Sequence, residues 1–171
     1  MGRVLAEVTI RPQTELDVES VIDILEIVGA EGRWLGLEVP FDRRARAEAI
    51  LRDLRQPTTF AGFVAEDVGR VVGSIDIRIA PYGVGSVAMA ILDGYRSQGI
   101  GTRLVERGTE WAKQAGAHKL ALEVWPHNDR AIGLYKKLGF VEEGRLHRHY
   151  RRRSGELWDA VVMGLLFDAG A

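Results

Sequence analysis

The sequence predicts an α/β (α+β) domain in which a central mixed sheet carries helices on its faces, and three observations lead there. Apolar residues switch repeatedly along the chain between a period of two and a period near that of an α-helix. Glycine or proline punctuates most of those switches, as turns between strands and helices require. The 171 residues, 46% of them hydrophobic, suffice for one substantial core, and no internal repeat or linker divides them. The expectation is a single domain over residues 1–171.

Alternation in "VLAEVTIR" predicts a first strand near Val4 to Arg11, with Pro12 restricting pairing to one side. Thr14 and Asp17 form an acidic capping signal for a helix whose apolar stripe is Val18, Val21, Ile22, Leu25 and Ile27, with Gly29 at its end. "EGRWLGLEVPFD", Glu31 to Asp42, has no period and reads as a loop. Asp42 caps a second helix through Leu54, with Ala45, Ala49 and Ile50 inward and most arginines in solvent.

"TTFAGFVAE" and "RVVGSIDIRIA" read as strands joined by the "DVG" turn, and "VGSVAMAIL" as the next strand after the turn from Pro81 to Gly85. Ile100, Leu104, Val105, Trp111, Ala112 and Ala115 recur at helical spacing, so a helix runs from about Ile100 to Ala115 and stops at Gly116. In "KLALEV" the alternation turns Glu123 away from the main apolar face of its strand. "NDRAIGLYKKLGF" supplies a short helix capped near Asn128 and stopped at Gly139. Strands around Phe140 to Tyr150 and Trp158 to Phe167 complete the sheet.

Composition removes several functions. Lys and Arg total 23 against 24 for Asp and Glu, a formal charge of -1 that gives no reason to expect a nucleic-acid partner. Without cysteine there is no thiol nucleophile, no disulfide and no thiolate-ligated zinc. His118, His127, His147 and His149 have no metal-binding spacing, so no metal is expected. The amino terminus turns acidic before a signal core forms, no apolar run nears the roughly 18 residues of a membrane span, and Ala6 stands where a myristoylation signal wants Ser or Thr. A cytoplasmic protein without membrane partners is the expectation.

The chemistry-bearing stretch is "YRSQGIGTRL", Tyr95 to Leu104. Gly99 and Gly101 keep Cβ atoms out of a tight turn, and the helix that follows supplies unpaired N–H donors suited to a phosphate. Arg96 and the Thr102 hydroxyl are candidate additions. The stretch lacks the Gly-Lys-Ser/Thr ending of a P-loop and the third glycine of a dinucleotide fingerprint. Alone it reads first as an ordinary strand-to-helix turn, with phosphate binding as the alternative.

Taken with "LALEVWPHNDRAIGLYKKLGFVEEG", it resembles the GCN5-related N-acetyltransferases (GNAT family), including their small-molecule and ribosomal-protein alanine acetyltransferase members. The resemblance is strongest over Val87 to Gly144, and Asp93 departs from it where many relatives have Pro. It implies splayed fourth and fifth strands and acetyl coenzyme A as cosubstrate. Backbone groups of Met89, Ala90, Ile91 and Leu92 would contact pantetheine. Amides from Gln98, Gly99, Ile100, Gly101 and Thr102 would hold the pyrophosphate, and Asn128 the coenzyme arm. Tyr135 would protonate the departing sulfur, Glu123 would be the base, and an N–H near Ile91 would face the carbonyl oxygen.

Alternatives stay open at each position. Tyr135 sits among Ile132, Leu134 and Leu138, which suits packing, and Glu123 could be a strand carboxylate paired with an arginine. Glu31, Trp34 and Glu38 are candidates for recognising an acceptor amine, two through charge and one through its ring. The basic run "RLHRHYRRRSGE" reads first as a solvated hairpin. The acceptor expected is the primary amine of a small molecule or amino acid. A protein or peptide amino terminus and a noncatalytic acetyl-coenzyme-A sensor are the competing readings. A homodimer is compatible with the sequence.

Overall fold

In a computed structural model, residues 8–167 are described. Among these residues seven strands form one sheet in the order β1-β2-β3-β4-β5-β7-β6. These are β1 (Thr9–Pro12), β2 (Phe60–Asp67), β3 (Arg70–Ile79), β4 (Val84–Ile91), β5 (Lys119–Val124), β6 (Val141–Arg151) and β7 (Leu157–Leu166). Four helices, α1 (Val18–Ala30), α2 (Arg43–Leu54), α3 (Ile100–Gln114) and α4 (Asp129–Lys137), fill the connections. All neighbours pair antiparallel except β4 and β5, which run parallel. A parallel pair needs a crossover, and α3 provides it.

Alternate residues of β3 divide the helices between the two faces. Ile75 and Ile77 meet α3 at Gly108, whereas Arg78, on the other face, pairs with Asp53 of α2. The core is continuous across the sheet, with Val64, Val72, Ile75, Leu104, Leu120 and Met163 among its buried members.

Several sequence expectations change in detail. The first strand is Thr9–Pro12, and the predicted part before Val8 lies outside the described residues. Pro12 remains in the ladder opposite Phe63, which an edge strand permits because one side needs no N–H donor. In α1 the buried stripe includes Ile24 and Val28, while Ile27 is 52% exposed. Gly29 lies inside that helix rather than ending it, and a Cβ there would crowd Val39 Cγ1 at 3.1 Å. Ala45 of α2 is exposed and Ile50 carries the burial. The reason is the outer position of α2, which touches the sheet with a narrow face.

The Thr14–Asp17 capping signal is realised and extended. Asp17 accepts from the Thr14 backbone N–H at 2.8 Å and from the Arg11 guanidinium at 2.7 and 2.8 Å, and Arg11 Nε also donates to Glu66 at 2.8 Å. This cluster ties β1, β2 and the start of α1 together. Hydrogen bonds from Arg11, with those of Thr14 in support, hold the buried Asp17 carboxyl at about 2, below its ordinary 3.8. A depressed carboxylate contributes stability above its unfolded pKa, and that contribution disappears as pH falls toward about 2. Replacing Asp17 with Asn should therefore cost about 2 kcal/mol at pH 7. Urea unfolding of both proteins should show the difference shrinking between pH 4 and pH 2.

Candidate active site

The site begins where a ladder ends. β4 pairs with β5 only at Val84–Lys119, Gly85–Leu120 and Ser86–Ala121, although β4 continues to Ile91 and β5 to Val124. Beyond Ser86 the two strands diverge, and the edge of β4 facing β5 has no strand partner. A cavity of about 400 Å³ occupies the opening. Such a volume lies in the range of small-ligand sites.

One end of the cavity is made by the glycine turn. Gly99 is the N-cap of α3 with φ +81°, a conformation most side chains resist, and Gly101 stands where a Cβ would meet Leu134 of α4 at 3.0 Å. The first glycine is required by backbone angle and the second by the approach of α4. Gly99, Gly101 and Thr102 line the cavity, as do Met89, Ala90 and Ile91 of β4. Asn128 lines it too, while its side-chain oxygen caps α4 by accepting from the Ala131 N–H at 3.2 Å. Gln98 and Ile100 do not line it: Gln98 donates to the Gly94 carbonyl and Ile100 is buried. Leu92 points its N–H at the Val72 carbonyl, 3.0 Å away, and is buried.

Arg96 lies against the cavity, and four hydrogen bonds tie its guanidinium to the protein. Its two terminal nitrogens grip Glu31 at 2.6 and 2.8 Å, one also reaches Asp93 at 3.1 Å, and Nε donates to the Ile91 carbonyl at 2.8 Å. The bidentate grip of Arg96, foremost, holds the Glu31 carboxyl below its ordinary range, and the Trp34 indole adds a bond at 2.6 Å. Glu31 is therefore not a carboxylate open to an incoming amine. Glu38 is engaged as well, accepting from the Arg153 backbone N–H at 3.1 and 3.2 Å. Of the three predicted acceptor residues, Trp34 alone lines the cavity.

The carboxylate that does reach it is Glu123. Alternation in β5 buries Leu122 and Val124 and leaves Glu123 exposed on the cavity wall, as the sequence pattern required. Its partner is Tyr150 of β6, whose hydroxyl donates a short hydrogen bond to Glu123 Oε2. That bond, aided by partial burial, pushes the phenol up to about 12. Tyr150 also meets Trp125 edge-on at 5.2 Å, and both line the cavity.

Sequence reasoning did not select Tyr150. β7 lies between β5 and β6, so the contact spans 27 residues and two strand positions. The only local signal was an aromatic at an alternating position within a basic run.

Tyr135, on the inward side of α4, is 7% exposed, lines the cavity and packs against Phe140 at 5.4 Å. Burial pushes its phenol up to about 12, so it stays protonated at neutral pH. Packing and access to the cavity thus coexist at this residue.

The family model for the acetyltransferase (GNAT) family matches residues 23–140, which contain the cavity's turn, strands and helix α4. The chain belongs to the GNAT family. It is 37% identical over 93 residues to N-alpha-acetyltransferase 30 of Schizosaccharomyces pombe, a match covering 52% of this chain and 62% of that protein. The chain spans less than two thirds of the length of the curated relatives it matches. A GNAT-family acetyltransferase from Streptococcus pneumoniae superposes with a TM-score of 0.83 at 25% identity, covering 94% of this chain and all of the other, 100%. A Salmonella typhimurium protein solved with its cofactor acetyl-CoA shares the fold at a TM-score of 0.84 and 20% identity, over 97% of each chain.

Two glycines separate the demands of the GNAT turn from ordinary helix preference. Gly99→Ala should lower stability by about 1 kcal/mol, because the residue must hold a positive φ. Gly133→Ala, inside α4 with open space around it, should instead raise stability by about 0.5–1 kcal/mol. Denaturant unfolding of the two variants should move in opposite directions.

Proposed function

We propose that this GNAT acetyltransferase moves the acetyl group of acetyl-CoA to the primary amine of a small molecule or amino acid, by direct attack within a ternary complex. The observation that carries the reading is one cavity joining the glycine turn, at its phosphate-compatible end, to Glu123 at an aromatic end. The fit to the coenzyme rests on the turn. Gly99 and Gly101 leave the first N–H groups of α3 free of side-chain cover, and a helix start favours linked phosphates. Gly99, Gly101 and Thr102 would hold the pyrophosphate, Met89 to Ile91 the pantetheine arm, and Asn128 its far side. The Salmonella protein of the same fold was solved with acetyl-CoA, which supports the choice of coenzyme.

Bound there, the coenzyme supplies a thioester carbonyl: a C–N bond forms to the amine as the C–S bond breaks. Glu123 accepts, directly or through water, the proton that the acceptor's ammonium must lose before its nitrogen can attack. Tyr150 fixes one carboxylate oxygen of Glu123, which lines the cavity. Tyr135, kept protonated by burial, gives its proton to the departing sulfur. Arg96 lines the cavity and holds the Ile91 carbonyl at the end of β4, so the strand edge near the thioester keeps its course. A free N–H of that edge is the group assigned to the carbonyl oxygen.

Trp34, Trp125 and Tyr150 form an apolar wall suited to the carbon body of a small amine, beside Glu123 for its charge. A second reading, acetylation of a peptide α-amine, is favoured by the name of the Schizosaccharomyces pombe relative. A free-thiol assay over amines, amino acids and peptides decides between them.

Tyr135→Phe should lower single-turnover transfer on the order of 10²-fold while acetyl-CoA affinity changes less than about threefold. Unchanged transfer would remove Tyr135 from the acid role. Because its phenol titrates only near 12, activity below about pH 10 should show no alkaline fall that this substitution abolishes. For Glu123→Gln, the fall of kcat/KM toward acid pH should change shape, and an unaltered profile rules Glu123 out as sole base.

A further inference from the structure

Arg152 has no part in the chemistry above and does not line the cavity, yet its side chain is only 5% exposed. It belongs to the turn between β6 and β7, where its backbone N–H donates to the Glu156 carbonyl at 2.8 Å. The guanidinium then reaches out of the hairpin into the loop that follows α1. Nη1 donates to the Gly36 carbonyl at 3.1 Å and Nη2 to the Leu35 carbonyl at 3.4 Å. Its carbon lies 4.6 Å from the Trp158 ring centre and 5.4 Å from that of Trp125, and Nε stands 3.5 Å from Glu38. A few residues of each segment therefore meet at one cation.

Leu35, Gly36 and Trp125 line the acceptor end of the cavity. The loop is one wall of that end and the hairpin another, and Arg152 joins them. Next to it the Arg153 N–H binds Glu38, a second bond across the same seam. A buried guanidinium is costly to desolvate, and here two aromatic faces, two carbonyls and one carboxylate offset that cost. Lysine has one compact ammonium and cannot span both carbonyls while covering both rings.

We propose that Arg152 is a specificity-determining, positioning residue: by latching the loop around Leu35 and Gly36 to the β6–β7 turn, it closes the acceptor end and restricts the enzyme to short amines. This rests on the small-amine reading above. An extended peptide needs a path out between loop and hairpin, and the latch occupies that path. The other end of the loop is fastened independently, by Arg96 to Glu31 and by the Arg33 carbonyl 2.8 Å from His127 Nε2. Removing Arg152 thus frees the middle of the loop without loosening the coenzyme turn.

The test compares Arg152→Gln and Arg152→Lys with the parent, using alaninamide and an alanine-led pentapeptide amide as acceptors and free thiol as the signal. The parent should prefer alaninamide in kcat/KM, and Arg152→Gln should shrink that preference about tenfold, with Lys restoring part of it. Coenzyme A affinity by calorimetry should stay within about threefold in both variants. Hydrogen exchange should quicken at residues 33–38 and not in α3. An unchanged acceptor ratio in folded Arg152→Gln overturns the proposal, as does a parent that prefers the peptide. So does unchanged exchange in the loop, a readout that needs no acceptor. Arg152→Lys, which keeps the charge, decides the matter in the same way if the Gln variant fails to fold. If neither probe is acetylated while coenzyme A binds, the small-amine reading fails and size selection falls with it. If coenzyme A does not bind the parent, the coenzyme site itself is wrong, and the exchange result then judges the latch alone.

Discussion

The structure depends on the parting of β4 from β5 after three paired residues. A strand edge inside a protein carries N–H and C=O groups that must find partners, and an unsatisfied buried group costs roughly 1–3 kcal/mol. This fold leaves such an edge open along Val87–Ile91, beside a cavity large enough for a ligand arm. The open edge is tolerable because most of β4 past Ser86 is at least partly exposed, so the cavity gives its unpaired groups access to water. Every other feature of the site is placed relative to that gap. The glycine turn lies where β4 leads into α3, Glu123 sits on the diverging end of β5, and Tyr135 comes in on α4.

Around the gap, charge is arranged so that most carboxylates are already answered. Arg96 holds Glu31, Arg152 and the Arg153 amide hold Glu38, and Arg43 gathers Glu19, Asp23 and Glu26 of α1. Glu123 differs in kind, because its partner is a neutral phenol rather than a cation. A phenol orients a carboxylate oxygen through one hydrogen bond and brings no charge of its own. The same economy applies to Tyr135, whose burial keeps its proton in place without any charged neighbour.

Much of the frame was legible along the chain. Period changes located the ten strands and helices from α1 to β7 and part of β1, and capping residues Asp42 and Asn128 perform the roles their types suggest. Gly99 and Gly101 were legible for a similar reason, since a positive φ and a close helix approach each demand a residue without Cβ. Within α1, however, the pattern placed Ile27 inward and omitted Ile24 and Val28, because a strongly apolar helix has more than one face that could be buried.

The sequence by itself determined the order of strands and helices, the glycine corner and the outward turn of Glu123, all of which follow from residue preferences acting over a few positions. Only the tertiary structure decided which charges remain available at the site. Glu31 meets Arg96 across 65 residues, Arg152 reaches Gly36 across 116, and Tyr150 finds Glu123 past an intervening strand. Such pairings have no local signature, because a side chain's charge and shape are written in its own position while its partner is chosen by the path of the whole backbone.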